Sequence, residues 1–384
     1  MSDVTLSSGT GPVLSIPFDN SGSASLASNL IGSAVRAGVT PFVLPTDTSS
    51  PVTIPGGHLL AIVDSTTHAT VVGSGGPAQT VIAGAGGLDF TTGGGSSTVI
   101  AGGGNNFLST TPSSDTGSQF TTGGGNDTID ALSGNNTIAA GTGENLITLG
   151  SGNNLVISQG ADTINTGSGS DTIAPQNNDV TVNGGSGKLT FVGGTGDATV
   201  IGGTGSVTLF GGAGGGFFSG GSAGNNLLMA GQGATTLLGG GSNSTLYAQY
   251  SAGDVLHAGV GNQTLIGSLS DGNNQFYAGP GSDEIDAGIG NDTIFAGTGS
   301  ATVLGGGGSN EYDFLAANTG AGTNLSIGDF QVGADKLVIS GYGTTATNVF
   351  ANRVVNAGST TLTLGDGTKI VLTGVTNLNQ TNIS

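Results

Sequence analysis

Apolar and polar positions alternate in short runs along most of this chain, and the same alternation returns every nine residues. Between residues 80 and 313, each nine-residue repeat has a Gly-rich turn at positions (slots) one to five, Asp or a substitute at slot six, and a short run at slots seven to nine, such as Thr128-Ile129-Asp130. Slot eight of the repeat is almost always apolar. Because side chains alternate across a strand, slots six and eight face one side and slots seven and nine the other. The apolar slot eight therefore predicts the inner side.

A nine-residue repeat cannot bury its apolar side chain alone, so the fixed period indicates a solenoid in which neighbouring repeats cover one another. Two repeats would form one coil, and the coils would stack as parallel strands. We predict an all-β fold, a right-handed parallel β-roll or β-solenoid over residues 80–313. A small N-terminal cap or assembly segment (1–79) and a C-terminal β cap (314–384) would cover its ends, since open solenoid ends expose unpaired strands.

Composition agrees with repeated turns and excludes several classes of protein. The 384 residues include 78 Gly, 10 Pro and no Cys, without the three-residue period of collagen. A hydrophobic fraction of 35% argues against disorder. With 24 acidic and 5 basic residues, the net charge of −19 disfavours nucleic-acid partners and favours cations. No apolar run of membrane-spanning length is present, so we expect no membrane insertion.

Slot six carries the candidate chemistry, because it holds Asp in some repeats and Asn in others. Asp127 occupies it in Gly-Asn-Asp-Thr-Ile, and Asn136 occupies it nine residues later. Carboxylate and amide oxygens are hard ligands of the kind that Ca²⁺ requires. Same-side neighbours are every second repeat, and on this count no Asp has an Asp as its neighbour. The pairs are Asp127 with Asn145, Asn145 with Asp162, Asn154 with Asp171, Asp254 with Asn274, Asn274 with Asp292, and Asp292 with Asn310. The candidate metal ligands are Asp127, Asn145, Asp162, Asn154, Asp171, Asp254, Asn274, Asp283, Asp292 and Asn310.

Repeats such as TGSGSDTIA and AGIGNDTIF resemble the Gly-Gly-x-Gly-x-Asp-x-apolar-x repeat of the RTX (repeats-in-toxin) family. The resemblance implies a β-roll that holds Ca²⁺ between same-side turns through slot-six aspartates and turn carbonyls. Each pair here has one carboxylate where the family usually has two, so we expect few or weak calcium sites. The alternative is a metal-free ladder of stacked Asn and Asp side chains. Between the two candidate regions, slot six becomes apolar at Val180, Leu189 and Val207, which predicts metal-free folding there.

Slot nine on one side of the coil presents a column of apolar residues to solvent. Its members are Val192, Phe210, Met229, Tyr247, Ile266 and Leu304, with Asp286 before the last. Such a column indicates a partner, and we predict a homo-oligomer or filament. The alternative is that the N-terminal segment folds back over it. Threonines at slot seven raise ice binding as a further possibility, but the bulky column disfavours a flat ice-binding face.

The two ends differ from the repeats. The stretch NLSIGDFQVGADKL, residues 324–337, resembles the end of type I secreted exoproteins such as serralysin-type proteases. It implies an uncleaved signal for the type I secretion machinery and an extracellular or cell-surface location. The beginning of the chain lacks the pattern of a secretory signal peptide. Leu26, Leu30, Ile31, Ala34 and Val35 predict a short amphipathic helix.

Catalytic patterns are missing from the sequence. None of His58, His68 and His257 lies in a His-Glu-x-x-His pattern. We therefore expect a secreted, non-catalytic β-solenoid that self-assembles as a filament, surface layer or biofilm matrix, with calcium as an aid. The alternatives are a monomeric calcium-binding adhesin or accessory exoprotein and an enzyme of unrecognised type.

Overall fold

Parallel strands wound into coils make up nearly all of the protein. The computed structural model describes residues 2–6, 14–44, 50–112, 115–241, 243–250 and 253–384. It divides into two compact units, an N-terminal unit (1–194) and a C-terminal unit (195–384). In each unit the chain alternates between two sheets, so that two nine-residue repeats complete one coil. Within each unit the strands stack as a β-solenoid, with about 15 turns in the two units together.

The N-terminal unit begins with a hairpin and a helix and continues as coils. The hairpin is β1 (Ser2–Leu6) with β2 (Leu14–Phe18), and the helix is α1 (Ser21–Arg36). Its odd-numbered sheet contains β3 (Phe42–Leu44), β5 (Leu60–Val63), β7 (Gln79–Ala83), β9 (Ser97–Ala101), β11 (Gln119–Thr122), β13 (Thr137–Ala140), β15 (Leu155–Ser158), β17 (Ser170–Pro175) and β19 (Lys188–Val192). Its even-numbered sheet contains β4 (Val52–Thr53), β6 (Ala69–Val72), β8 (Leu88–Thr91), β10 (Phe107–Ser109), β12 (Thr128–Ala131), β14 (Leu146–Leu149), β16 (Thr163–Asn165) and β18 (Val180–Asn183).

The C-terminal unit repeats this plan and ends in antiparallel strands. Its even-numbered sheet contains β20 (Ala198–Ile201), β22 (Gly216–Ser219), β24 (Thr235–Leu238), β26 (Val255–His257), β28 (Gln275–Tyr277), β30 (Thr293–Phe295), β32 (Glu311–Leu315) and β34 (Lys336–Ser340). Its odd-numbered sheet contains β21 (Val207–Phe210), β23 (Leu227–Met229), β25 (Thr245–Tyr250), β27 (Thr264–Ser270), β29 (Ser282–Asp286), β31 (Ser300–Leu304) and β33 (Asn324–Ile327). Three final strands extend this sheet, namely β35 (Val354–Asn356), β36 (Ser359–Thr363) and β37 (Lys369–Leu372). The remaining elements are α2 (Ala346–Ala351) and a 3₁₀ turn (Gln380–Asn382).

Slot eight forms the core, as the alternation predicts. Ile129 pairs with Ile147, and Ile138 pairs with Val156, in successive parallel strands. The slot-eight side chains are fully buried at Ile129, Ile138, Ile147, Val156, Ile164, Ile173, Leu228, Leu237, Leu246, Leu256 and Leu265. Each coil thus adds two apolar side chains to a continuous column, which is how a repeat that cannot fold alone becomes stable.

Parallel pairing extends beyond the predicted span of 80–313. Before it, β3 pairs with β5 and β4 with β6; after it, β32 pairs with β34 and β33 with β37. These coils lack the Gly-rich nine-residue frame, so the period of the repeat does not reveal them. β37 then pairs antiparallel with β36, and β36 with β35. The last strands of the C-terminal unit are therefore antiparallel, unlike the parallel coils before them.

The helix predicted near the N-terminus is present as α1, with Asn20 as its N-cap. The hairpin and α1, which we call the N-terminal segment, pack on the outward face of β5, β7 and β9. The shared apolar cluster consists of Val4, Ile16, Phe18, Ala24, Ala27, Ile31, Leu60, Ile62, Ile82 and Ile100. Of the predicted apolar positions, Ile31 is buried, whereas Leu26 and Val35 are exposed. The buried side of α1 is therefore centred on small alanines, which let the helix approach the sheet closely.

Glycines allow the turns of successive coils to stack. A Cβ atom on Gly141 would collide with the carbonyl oxygen of Gly123 in the preceding coil. Gly143, two residues on, has a φ of 122°, a conformation that other L-residues rarely adopt. Both requirements recur at each coil, which accounts for the high glycine content.

Candidate calcium sites in the turn ladders

Slot-six side chains form a hydrogen-bonded ladder along the even-numbered side of the N-terminal unit. Asp127 Oδ1 accepts from the backbone N of Asn106 (2.8 Å) and from its Nδ2 (2.7 Å). Asn145 Oδ1 accepts from Asp127 N at 2.9 Å. Asp162 Oδ1 in turn accepts from Asn145 N (2.9 Å) and Nδ2 (2.8 Å). Each slot-six oxygen thus binds the amide of the coil before it.

The odd-numbered side of the same unit repeats the arrangement with asparagines in the middle. Asn136 Oδ1 accepts from Ser118 N, and Asn154 Oδ1 accepts from Asn136 N and Nδ2. Asp171 Oδ1 ends the run by accepting from Asn154 N (3.2 Å) and Nδ2 (2.8 Å). The predicted neighbours Asn154 and Asp171 are therefore in direct contact, as are Asp127 and Asn145. These ladders end where Val180 and Leu189 take slot six, and both of those side chains are buried.

The C-terminal unit contains a longer ladder on its even-numbered side. Asp254 N donates to Asn274 Oδ1, Asn274 N to Asp292 Oδ1, and Asp292 N to Asn310 Oδ1, at 2.9, 2.7 and 3.0 Å. On the odd-numbered side, Asp283 Oδ1 accepts from Gln263 N at 2.8 Å. All ten candidate ligands are at most 3% exposed. Asp283 alone among them has no predicted neighbour, and its actual neighbour is Gln263.

Several ladder members were not predicted from the slot pattern. Asp335 follows Asn310 and accepts from its backbone N at 2.9 Å. Gln263 Oε1 accepts from Ser244 N, so a longer amide side chain replaces Asn at slot six. Asp335 lies 25 residues after Asn310, which breaks the nine-residue count. The stretch GADKL, which contains Asp335, was the available signal for it.

A second ladder of asparagines runs along the solvent side of the turns at slot five. Asn105 Oδ1 accepts from Asn126 N, and Asn126 Oδ1 accepts from Glu144 N. Asn135 Oδ1 accepts from Asn153 N at 2.8 Å. The same bond recurs in the C-terminal unit, where Asn273 Oδ1 accepts from Asn291 N. The Asn-Asn and Asn-Asp doublets therefore supply one exposed and one buried ladder.

Burial raises the pKa of the slot-six carboxyls, and hydrogen bonds from the ladder oppose the effect. The pKa values of Asp127, Asp162, Asp171 and Asp283 are raised in this way. For Asp254 and Asp292, burial raises the pKa to about 6. A carboxylate kept ionised inside these turns has a strong tendency to acquire a proton or a cation.

Two of these carboxylates have an oxygen that fits a cation. Asp127 Oδ2 and Asp292 Oδ2 are buried and form no hydrogen bond of normal geometry. Within the part of the chain that the structure describes, no three acidic or histidine side chains gather to hold a metal together. An ion here would take one carboxylate oxygen, and its other ligands would be amide and turn carbonyl oxygens. The low charge of such a site predicts weak binding.

The predicted self-association residues lie on the odd-numbered sheets. In the C-terminal unit, Phe210 pairs with Met229, Met229 with Tyr247, and Tyr247 with Ile266. Asp286 follows Ile266 and precedes Leu304. We call Phe210, Met229, Tyr247, Ile266 and Leu304 the open column, because Phe210 and Leu304 are 39% and 46% exposed and the other three are half-buried. Val192 belongs to the N-terminal unit, where it is exposed.

Parallel coils, a buried Asp/Asn ladder and an excess of acidic residues define a β-solenoid of the calcium-binding type. A family model for the RTX calcium-binding nonapeptide repeat matches residues 89–116, 121–156, 158–174, 192–215, 220–249 and 268–303. The chain therefore belongs to the RTX repeat family. No curated protein matches it in sequence.

Membership of this family sets the broad biochemical class. RTX nonapeptide repeats are calcium-binding motifs, so Ca²⁺ is the cation of this chain, and it fits the unpartnered oxygens described above. RTX repeat proteins are typically secreted, through type I secretion, and their β-solenoids are typically non-catalytic. Among the described residues, no helix is long and apolar enough to cross a membrane.

Proposed function

We propose that the protein is a secreted, non-catalytic β-solenoid that self-assembles outside the cell, as a filament, surface layer or biofilm-matrix subunit. The observation that supports this function is the open column of the C-terminal unit. Four of its members, from Phe210 to Ile266, follow one another strand by strand, so their exposed surfaces form one continuous apolar strip. Strips of this kind on soluble proteins mark sites of protein contact.

A second copy of the chain is the partner that we propose for the open column. Large, partly exposed side chains such as Phe210, Met229 and Tyr247 are typical of interface cores. Asp286 divides the strip, so that a partner must either avoid this carboxylate or bring a cation to it. An interface made by one short strip is weak, and repetition of the contact in a polymer would strengthen it.

Calcium would promote assembly in two ways. A net charge of −19 makes two copies repel each other, and bound cations lower that charge. Cation binding at Asp127 and Asp292 would also stabilise the coils, because a ligand that binds only the folded state shifts the equilibrium towards it. Secretion into calcium-rich surroundings would then delay both folding and assembly until after export. The segment 324–343 and the residues after it would address the chain to the type I machinery.

The experiment is sedimentation and electron microscopy of the purified chain with and without calcium. We expect oligomers or fibres that become more abundant with calcium. Phe210→Ser should abolish them, whereas Ile201→Ser should not, because Ile201 is equally exposed but lies on the even-numbered sheet. Wild-type protein that stays monomeric with and without calcium would refute self-assembly. Equal loss in both variants would refute the open column as the contact.

A further inference from the structure

Three aromatic side chains stack from strand to strand on the outward face of the even-numbered sheet of the C-terminal unit. His257, Tyr277 and Phe295 end β26, β28 and β30 and are register partners. The ring centroids of His257 and Tyr277 are 4.1 Å apart with an angle of 15° between the planes, and those of Tyr277 and Phe295 are 4.2 Å apart at 7°. Because the rings face one another along the stack, their edges point away from the sheet.

A groove of about 310 Å³ runs beside these rings, and we call it the aromatic groove. Small residues line it next to each ring, namely Ala258, Ala278, Ala296, Gly279 and Gly297. Exposed Thr298 and Asn318 supply a hydroxyl and an amide at its rim. None of the described residues that line it is Asp, Glu, Lys or Arg. Burial lowers the pKa of His257, so this ring is uncharged at neutral pH.

The lining selects the chemistry of a ligand. No charged side chain lines the groove itself, although Asp313 follows Phe295 in register at one end of the stack. The net charge of −19 would repel a polyanion. Aromatic ring edges carry the positive part of the ring quadrupole, so they favour electronegative oxygen atoms. The hydroxyl and amide groups at the rim can bond to the same oxygens or their protons. Small side chains allow a polymer backbone to lie close to the sheet.

We propose that the aromatic groove binds a neutral, hydroxyl-rich carbohydrate chain that lies along the direction in which the strands stack. Each coil presents an aromatic edge and a small residue at the strand spacing of about 4.8 Å, so a repeating polymer meets the same contact at successive coils. Sites that bind small molecules and sugars commonly combine an aromatic wall with a few polar groups. This proposal is independent of self-assembly, because the open column lies on the odd-numbered sheet.

The test is affinity electrophoresis of the full-length chain in native gels that contain hydroxyethyl cellulose, a neutral glucan, or alginate, an acidic polysaccharide. We expect hydroxyethyl cellulose to retard the wild-type protein and alginate to have no effect. Tyr277→Ala should weaken the retardation about tenfold, because it removes the central ring and leaves its two neighbours unstacked. Tyr277→Phe should keep it within about twofold, since the ring edge remains.

Two further variants separate binding from folding and from self-association. Thr298→Glu puts a charge at the rim without altering the stack, and it should weaken binding as strongly as Tyr277→Ala. Phe210→Ser, in the open column, should bind like wild type. Circular dichroism verifies the fold of each variant. No retardation of wild type by the neutral glucan would overturn the proposal, as would undiminished retardation of both Tyr277→Ala and Thr298→Glu. Loss of binding in Phe210→Ser would instead show that self-association causes the retardation.

Discussion

The odd-numbered sheets of the two units carry apolar columns at the same slot, yet one is covered and the other is open. In the N-terminal unit, Ile62, Ile82 and Ile100 are register partners and are fully buried beneath the N-terminal segment. We call these three residues the covered column. In the C-terminal unit, the open column keeps Phe210 and Leu304 exposed. The same position in the repeat therefore serves as core in one unit and as surface in the other.

The cover ends where the first run of outward isoleucines ends. After Ile100, the next register partners in the N-terminal unit are Thr121 and Ala139, which expose little apolar surface. The N-terminal segment thus buries the isoleucines beside it, whereas Val192, further along the same unit, is exposed. The open column is not buried in this way within the C-terminal unit, since Phe210 and Leu304 are exposed. A contact outside the unit would account for its apolar residues.

Matched Ile→Asp substitutions give the largest expected difference between the two columns. Ile100→Asp would bury an unpaired carboxylate and should lower the free energy of unfolding by at least about 4 kcal/mol. Ile266→Asp should lower it by only about 1 to 2 kcal/mol, because Ile266 is half-buried, and part of this loss is repulsion between the new carboxylate and its register partner Asp286. Urea unfolding followed by circular dichroism measures both, with hydrogen exchange to locate the affected coils. Similar losses in the two variants would show that the open column is as deeply packed as the covered one.

A change in α1 can turn the covered column into an open one. Ile31 is 1% exposed and packs in the cluster with Ile82 and Ile100, so Ile31→Ala should weaken docking of the N-terminal segment by about 3 kcal/mol. Hydrogen exchange should then rise in residues 21–36 while the coils stay protected. Leu26→Ala, on the exposed side of the same helix, is the control and should have little effect. Equal exchange in the two variants would show that α1 does not depend on this contact.

The sequence predicted the coils and the inner face but could not predict which outward column is covered. Slot eight and slot six repeat every nine residues, so their burial follows from strand alternation alone. Covering Ile82 depends on Phe18 and Ile31, which are far from it in sequence and outside the repeat. The ladder partners of Asp127 and Asp254 followed from counting every second repeat, whereas Asp335 lies after an irregular insertion. The unpartnered Oδ2 atoms of Asp127 and Asp292 depend on side-chain positions that no period encodes.

The buried carboxyls of the two units should differ in their dependence on pH. Asp162 accepts from Ser158 Oγ and twice from Asn145, whereas among the described residues Asp254 accepts from two backbone amides, and its pKa is raised to about 6. A folded-state pKa above the unfolded value means that the folded chain binds more protons between about pH 4 and 6, so stability falls as pH rises through this window. Asn cannot ionise, so without calcium the Asp254→Asn variant should avoid roughly 2 kcal/mol of the decrease in unfolding free energy that wild type shows by pH 7.

Calcium should raise stability at pH 7 through Asp292, whose pKa is also raised to about 6 and whose unpartnered Oδ2 can take a cation in place of the proton. The measurement is urea unfolding of wild type and Asp254→Asn at pH 4 and 7, with and without calcium. Asp286→Asn, an outward carboxyl in the odd-numbered sheet, is the control and should keep the wild-type dependence. A wild-type chain without calcium that is more stable at pH 7 than Asp254→Asn would contradict the assignment.

The smallest expected effect concerns the Asn-Asn doublet at 135 and 136, where the N-terminal unit replaces a carboxylate with an amide. Asn136 Nδ2 donates to Ser133 O, Gly134 O and Asn154 Oδ1, at 3.0, 3.1 and 2.9 Å. Asn136→Asp removes this donor from three oxygens and adds a charge, so the metal-free chain should lose about 1 kcal/mol or somewhat more. The same oxygens would then surround a carboxylate, and calcium should restore the loss.

Asn135→Asp is the matched control, because Asn135 is exposed and needs only the oxygen that accepts from Asn153 N. It should change neither stability nor the calcium response by a measurable amount. Thermal unfolding of both variants with and without calcium measures the difference. The contradicting outcome is an Asn136→Asp variant that is as stable as wild type without calcium and shows no response to calcium. In that case the buried amide of Asn136 would not explain why this coil folds without a metal. If calcium restores the stability of Asn136→Asp, one atom exchange converts a hydrogen-bonded rung into a cation site, and the alternation of Asp and Asn sets how many ions the solenoid needs.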